Sequence, residues 1–180
     1  MSLRLARIVA IGLLLLAAAP AAAEVAGEVI EWGITTGRRE PAQDPPDPEE
    51  RGLSPSGKIS DIRYLERTDM IEAKLCRGFG MTVRLSGREA EMPLEVVGRV
   101  SHPTMTRPDG VSGQEAVMRM HALDGTTYLG FTFDFPWEME PGPWVFSVSV
   151  RGVEVARRVF TVVSPPAGAP ISECIPETVT

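Results

Sequence analysis

The chain has 180 residues, of which 43% are hydrophobic and 23% charged, and its formal net charge is −6. This length is enough for one domain with its own hydrophobic core. Nucleic acids and anionic membrane surfaces favour clustered positive charge, so the acidic balance argues against both as partners.

Residues 1–23 have the pattern of a secretory signal peptide. Arg4 and Arg7 form a positive start, an uncharged apolar run follows over 8–19, and small residues precede Glu24. The apolar run is shorter than the roughly 20 residues that a membrane-spanning helix needs. We therefore expect cleavage between Ala23 and Glu24, a periplasmic or secreted protein, and no integral membrane insertion after cleavage.

The mature chain contains two cysteines, Cys76 and Cys174. In an oxidising compartment an even number of cysteines indicates a disulfide. We predict that a Cys76–Cys174 bond fastens an irregular C-terminal tail, 164–180, to the body of the domain.

The N-terminal part of the mature chain divides into two kinds of sequence. Residues 24–36 contain a first strand, in which Ile30, Trp32 and Ile34 alternate with smaller or polar residues. Residues 37–57 are rich in proline and acidic residues and poor in large apolar ones, which predicts a flexible acidic insertion. A solvated loop explains these carboxylates better than a cation site does, because the spacing lacks the features of a calcium loop.

The body, residues 58–163, shows repeated apolar–polar alternation separated by turn residues. The clearest alternating runs are 79–85, 94–100, 116–122 and 144–150. Asp124 and Gly125 predict a tight hairpin turn, and His102 and Pro103 are expected to end a strand. In the last strand the apolar residues change from odd to even positions, which predicts a β-bulge near Ala156–Arg158. About eight short strands without a convincing helix predict an all-β, immunoglobulin-like antiparallel β-sandwich.

A family resemblance supports this architecture. The segments that carry it are 68–73, 79–80, 130–134, 137–138, 141–146 and 158–162. Through these segments the chain resembles, over roughly residues 58–163, a bacterial exported family catalogued as domain of unknown function 3859. The resemblance implies a β-sandwich and no known activity, so no catalytic residue follows from it.

The residues offer little for catalysis or for binding a cofactor. His102 and His121 are the only imidazoles, and both are predicted to be surface residues. Two histidines and two paired cysteines cannot supply the usual zinc ligand sets without carboxylates, and no His-x-His or His-Glu-x-x-His spacing occurs, so no metal and no cofactor are expected. A glycosidase needs two carboxyl groups that flank the sugar, and Asp124, Asp134 and Glu138 are the candidates for this remote alternative of a carboxylate-dependent hydrolase.

The favoured hypothesis is a non-enzymatic interaction module that binds an envelope protein. Its contact surfaces are expected in segments 135–144 and 37–57, and the candidate binding residues are Trp137, Asp134, Glu138 and Asp124. The alternative is a small-ligand or glycan-binding module that uses Trp137 and the nearby carboxylates. Asp134 and Glu138 also have a structural interpretation, in which they hold the bend around Trp137 through backbone hydrogen bonds.

Overall fold

A computed structural model describes residues 25–39, 51–54, 57, 59–87, 94–166 and 168. The signal peptide, most of the acidic insertion and Cys174 lie outside these residues. Nine strands form: β1 (Val25–Arg39), β2 (Ile59–Glu66), β3 (Met70–Glu72), β4 (Gly78–Gly87), β5 (Leu94–Thr106), β6 (Ser112–Ala122), β7 (Thr126–Thr132), β8 (Gly142–Val150) and β9 (Val153–Val163). The prediction of an all-β fold is confirmed, with nine strands where about eight were expected.

The strands form two sheets that pack face to face. One sheet has four strands in the order β2-β1-β4-β7, and the other has five in the order β3-β9-β8-β5-β6. All neighbouring strands are antiparallel except β3 and β9. No helix among the described residues is long and apolar enough to cross a membrane.

The predicted alternation places one face of each central strand in the core. The inward residues of β4 and β8 are almost fully buried: Phe79, Met81, Val83 and Leu85, and Trp144, Phe146, Val148 and Val150. Phe79 lies at the centre of this core, because the rings of Phe133, Trp144, Phe146 and Phe160 all lie within 5.6 Å of its ring, centroid to centroid. The core therefore ties the two sheets together through aromatic contacts.

The turn at Asp124 and Gly125 forms, but it does not make a hairpin. Both residues have positive φ, 50° and 69°, as a tight two-residue turn requires. The strands that it joins, β6 and β7, belong to different sheets, and only the bridge between Leu123 and Thr126 connects them. The hairpin prediction is wrong in this respect, because β7 pairs with β4 in the four-stranded sheet and not with β6.

Two strands are longer than their sequences predict. β1 continues to Arg39, into the segment predicted as an insertion. β5 runs through His102 and Pro103 to Thr106, so this dipeptide does not end the strand. Pro103 is tolerated because the ladder between β5 and β6 is irregular between Ser101 and Met105, where no backbone N–H is needed.

The predicted β-bulge in β9 forms one residue before the expected segment. Val148 pairs with Ala156 and Ser149 pairs with Glu154, so Val155 is the extra residue. The extra residue explains the parity shift, because it moves the following apolar residues to the opposite face.

Candidate functional site

The loop between β7 and β8, residues 133–141 (the aromatic loop), carries most of the predicted site residues. It connects the four-stranded sheet to the five-stranded sheet at one end of the sandwich. A single 3-10 turn, Pro136–Glu138, shapes it, and the N–H groups of Glu138 and Met139 donate to the carbonyls of Phe135 and Pro136 at 3.0 and 3.3 Å. Proline suits the first position of such a turn because its φ is already fixed there.

Glu138 stabilises the aromatic loop from its buried side. The side chain is fully buried, with 0% of the residue exposed. One carboxylate oxygen, Oε2, accepts hydrogen bonds from the backbone N–H groups of Asp134 at 2.5 Å and Phe135 at 3.0 Å. The other oxygen, Oε1, accepts one from the hydroxyl of Ser54. This is the structural interpretation of Glu138, and a side chain buried in this way cannot touch a ligand.

The environment of Glu138 changes its acidity. Burial raises the pKa of this carboxyl above its usual range, and the hydrogen bonds from Ser54, Phe135 and Asp134 act in the opposite direction. The neighbouring carboxylate of Asp134 adds a smaller upward effect on the pKa.

The outer side of the aromatic loop is apolar. Phe135 is 46% exposed, although large apolar side chains are usually buried. Its ring stacks on Trp137 with centroids 5.4 Å apart and an interplanar angle of 10°. Trp137 is half-buried and packs against the core on its inner side. The two rings therefore form an exposed aromatic pair on a loop that the core and Glu138 hold in place.

The fourth predicted site residue lies elsewhere. Trp137, Asp134 and Glu138 meet in the aromatic loop, but Asp124 precedes β7 and Asp134 follows it. β7 has 7 residues, and at about 3.3 Å per residue it separates the turn at Asp124 from the aromatic loop by roughly 20 Å. Asp124 therefore does not belong to this surface.

His102 does not lie on the surface, so its prediction is wrong. It is only 7% exposed, and its ring lies 4.9 Å from the ring of Trp144. Its Nδ1 lies 2.8 Å from the carbonyl oxygen of Pro103. Burial lowers the pKa of this imidazole below its usual value. The signal was present in the sequence, since His102 has the same parity as the buried Val96 and Val100. His121, in contrast, is exposed as predicted.

Trp144 links His102 to the aromatic loop. Its indole N–H donates a hydrogen bond of 3.0 Å to the carbonyl of Glu140, and its ring is fully buried. A buried indole N–H needs such a partner, so the C-terminal end of the aromatic loop is fixed to the core.

Sequence reasoning missed a second feature, around Trp32. The guanidinium groups of Arg67 and Arg158 lie over this ring, 3.6 and 3.5 Å from its centroid. Arg158 also forms a bidentate pair with Asp69 at 2.6 and 2.8 Å. Cation–π contacts stabilise such an arrangement. The sequence gives no sign of it, because Trp32 alternates with Ile30 and Ile34 and is therefore expected on the inward face of the first strand.

The described residues contain no group of three or more His, Cys, Asp or Glu side chains that could hold a metal ion.

Cys76 lies next to the aromatic loop, and its N–H donates to the carbonyl of Phe133 at 2.8 Å. Because Cys174 lies outside the described part of the chain, the Cys76–Cys174 bond stays a prediction.

Comparisons with known proteins agree with this architecture. The family described as "Domain of unknown function (DUF3859)" matches residues 24–162. An immunoglobulin-like protein of Pseudomonas aeruginosa has a similar solved structure, with a TM-score of 0.54 and 20% identity over 79% of this chain and 100% of its own. This likeness shows the fold alone.

A second solved structure is more distant. The alkylpurine DNA glycosylase AlkC of Pseudomonas fluorescens aligns with a TM-score of 0.34 and 16% identity, over 52% of this chain and 27% of its own. A likeness at this level carries no argument. None of the curated proteins compared is a match.

Proposed function

The chain belongs to the family described as domain of unknown function 3859, and from this premise we propose that it is a non-enzymatic interaction module of the bacterial periplasm. The signal-peptide pattern of residues 1–23 supports the location. The observation that carries the proposal is the exposed stack of Phe135 on Trp137. Aromatic side chains of this kind are the usual anchors of protein–protein contacts.

The position of the stack also favours binding. Glu138 and Trp144 hold the aromatic loop at both ends through hydrogen bonds, so the rings are presented without a large loss of loop entropy on binding. The expected partner is an envelope protein with an apolar recess that accepts the Phe135 ring. Immunoglobulin-like sandwiches commonly place their contact residues on such end loops.

The test uses mature chain 24–180 with a tag, expressed in the periplasm and captured after mild cross-linking, with mass spectrometry as the readout. Phe135→Ala removes the exposed ring without opening the core, whereas Trp137 also packs inward and its removal costs stability. Leu123→Ala is the matched control, because Leu123 is 63% exposed but lies at the other end of β7.

We expect one cross-linked envelope protein that is captured by the wild type and by Leu123→Ala, and at least tenfold less by Phe135→Ala. Equal capture by Phe135→Ala and the wild type, with both proteins folded, contradicts the proposal.

The glycan-binding alternative uses the same rings and is tested in parallel. Sugars stack on exposed aromatic faces and need polar groups at the rim. Asp134 belongs to the same loop and is the candidate for such a group, whereas the buried Glu138 is not available. A thermal shift with peptidoglycan fragments that disappears in Phe135→Ala favours this alternative over a protein partner.

A further inference from the structure

β6 is the edge strand of the five-stranded sheet, and a short piece of the chain covers its centre. Residues 51–54 (the cap segment) lie against it. The N–H of Arg51 donates to the carbonyl of Val117 at 2.9 Å, and the N–H of Val117 donates to the carbonyl of Arg51 at 2.7 Å. This closed pair of hydrogen bonds shows that both backbone groups of Val117 point outward, away from β5.

The cap segment is attached at three points. Besides the Arg51 bridge, the side chain of Leu53 packs over Gly113, where an added Cβ would lie 3.2 Å from its Cγ. The hydroxyl of Ser54 bonds to Glu138. Exposed edge strands tend to pair with other chains, and native proteins often cover them. The cap segment is such a cover.

The charges along β6 indicate what the uncovered edge would pair with. Glu115, Val117 and Arg119 share the outer face of the sheet, because their partners Ser101, Arg99 and Val97 alternate with the buried Val96 and Val100. If Val117 of a second copy took the place of Arg51, the two strands would pair antiparallel about a two-fold axis at Val117. Glu115 of each copy would then lie opposite Arg119 of the other.

This register is favoured over its neighbours. Two-fold axes at Glu115 or at Arg119 would place like charges directly opposite each other, which destabilises a strand pair. Within each copy Arg99 already pairs with Glu115, and Arg119 with Glu95 at 2.5 Å. In the register centred on Val117, the ion pairs of the two copies would lie next to each other, so that positive and negative side chains alternate across the interface.

We infer that the edge of β6 is a self-association surface, which the cap segment covers and which a second copy of the chain occupies once the cap segment is released, through antiparallel β6–β6 pairing centred on Val117. The interface is isologous, since each copy supplies the same strand. Its contacts do not include the rings of Phe135 and Trp137, so its test can fail or succeed separately from the test of the proposed function.

The test releases the cap segment in the mature chain. Arg51→Pro removes the N–H that bonds to Val117, and Leu53→Asp places a charge where Leu53 packs. Leu53→Ser is a milder second variant, and whichever of these proteins retains the β-sheet circular dichroism spectrum serves as the background. Sedimentation velocity over a dilution series measures association.

We expect a released variant to double its apparent mass, whereas the wild type sediments as a monomer. Adding Glu115→Arg or Arg119→Glu should weaken the dimer about tenfold or more, because attractive cross-strand pairs become repulsive. Combining both changes restores opposite charges and should restore the dimer. Released variants that stay monomeric, or a dimer indifferent to these charges, overturn the inference.

Discussion

Replacing Glu138 tests whether a buried carboxylate holds the aromatic loop. Glu138→Ala removes the acceptor of three hydrogen bonds, two of which come from backbone N–H groups of the same loop. Glu138→Gln keeps the geometry, because its amide oxygen can replace Oε2 and its NH₂ group can donate to the hydroxyl of Ser54. The two substitutions therefore separate the hydrogen bonds from the charge.

The size of the effect follows from the groups left without a partner. A buried donor without a partner costs about 1–3 kcal/mol. The N–H groups of Asp134 and Phe135 are partly buried, so the lower half of that range applies to each, and Ser54 can turn to water. We expect Glu138→Ala to lower the free energy of unfolding by about 2–4 kcal/mol, and Glu138→Gln to change it by less than about 1 kcal/mol.

The pH dependence gives a second readout with a definite sign. Because the pKa of Glu138 is raised in the folded state, the unfolded chain releases this proton first as the pH rises above about 4.3. Loss of this proton then stabilises the unfolded chain more than the folded protein. The free energy of unfolding therefore falls as the pH rises toward the pKa that Glu138 has in the folded state. Glutamine at position 138 does not ionise, so the free energy of unfolding of Glu138→Gln should rise relative to that of the wild type over this pH range.

Urea denaturation at several pH values measures the free energy of unfolding of the wild type, Glu138→Ala and Glu138→Gln. Hydrogen exchange measures the protection of the backbone amides of Asp134 and Phe135. We expect faster exchange of these amides in Glu138→Ala only. A loss below about 1 kcal/mol in Glu138→Ala, or an equal loss in Glu138→Gln, would refute the reasoning, since either result would mean that the loop keeps its shape without this acceptor.

Two other predictions concern basic side chains that lie against tryptophan rings. Arg158→Ala loses both the contact with the Trp32 ring and a bidentate carboxylate partner, so it should cost about 1–2 kcal/mol in urea denaturation, whereas Arg67→Ala, which loses only an exposed ring contact, should cost clearly less; equal losses would contradict this ranking. Burial lowers the pKa of His102, so the unfolded chain gains a proton first as the pH falls below about 6.5 and the wild type loses stability there. His102→Phe should remove this component, and parallel pH profiles of the two proteins would rule it out.

The sequence predicts the central strands well because each has one face toward the core. In β4 and β8 every second residue has a large apolar side chain, and all of these side chains are buried, although the small residues Gly78, Gly80 and Ser147 between them are buried as well. Which strands pair with each other is harder to predict from the sequence. Asp124 and Gly125 specify a tight turn through their tolerance of positive φ, but local turn chemistry does not decide whether the next strand stays in the same sheet.

The candidate site was only partly predictable for a similar reason. Trp137, Asp134 and Glu138 are close in sequence, so any fold would keep them near one another. The burial of Glu138 depends on Ser54, which lies 84 residues earlier in the chain. Composition assigns Ser54 to an acidic insertion, and no periodicity in that segment indicates that it returns to the sandwich. Long-range contacts of this kind leave no local pattern.

Ser54 also connects two surfaces that would otherwise be independent. It belongs to the cap segment, which covers β6, and it donates to the carboxylate that shapes the aromatic loop. A partner that shifted the loop would alter the position of Oε1 and weaken one of the three attachments of the cap. Linkage requires the reverse effect as well, so that release of the cap changes the affinity of the loop for its partner. The hydrogen bond between Ser54 and Glu138 is therefore the contact through which binding at one end of the sandwich would influence pairing at its edge.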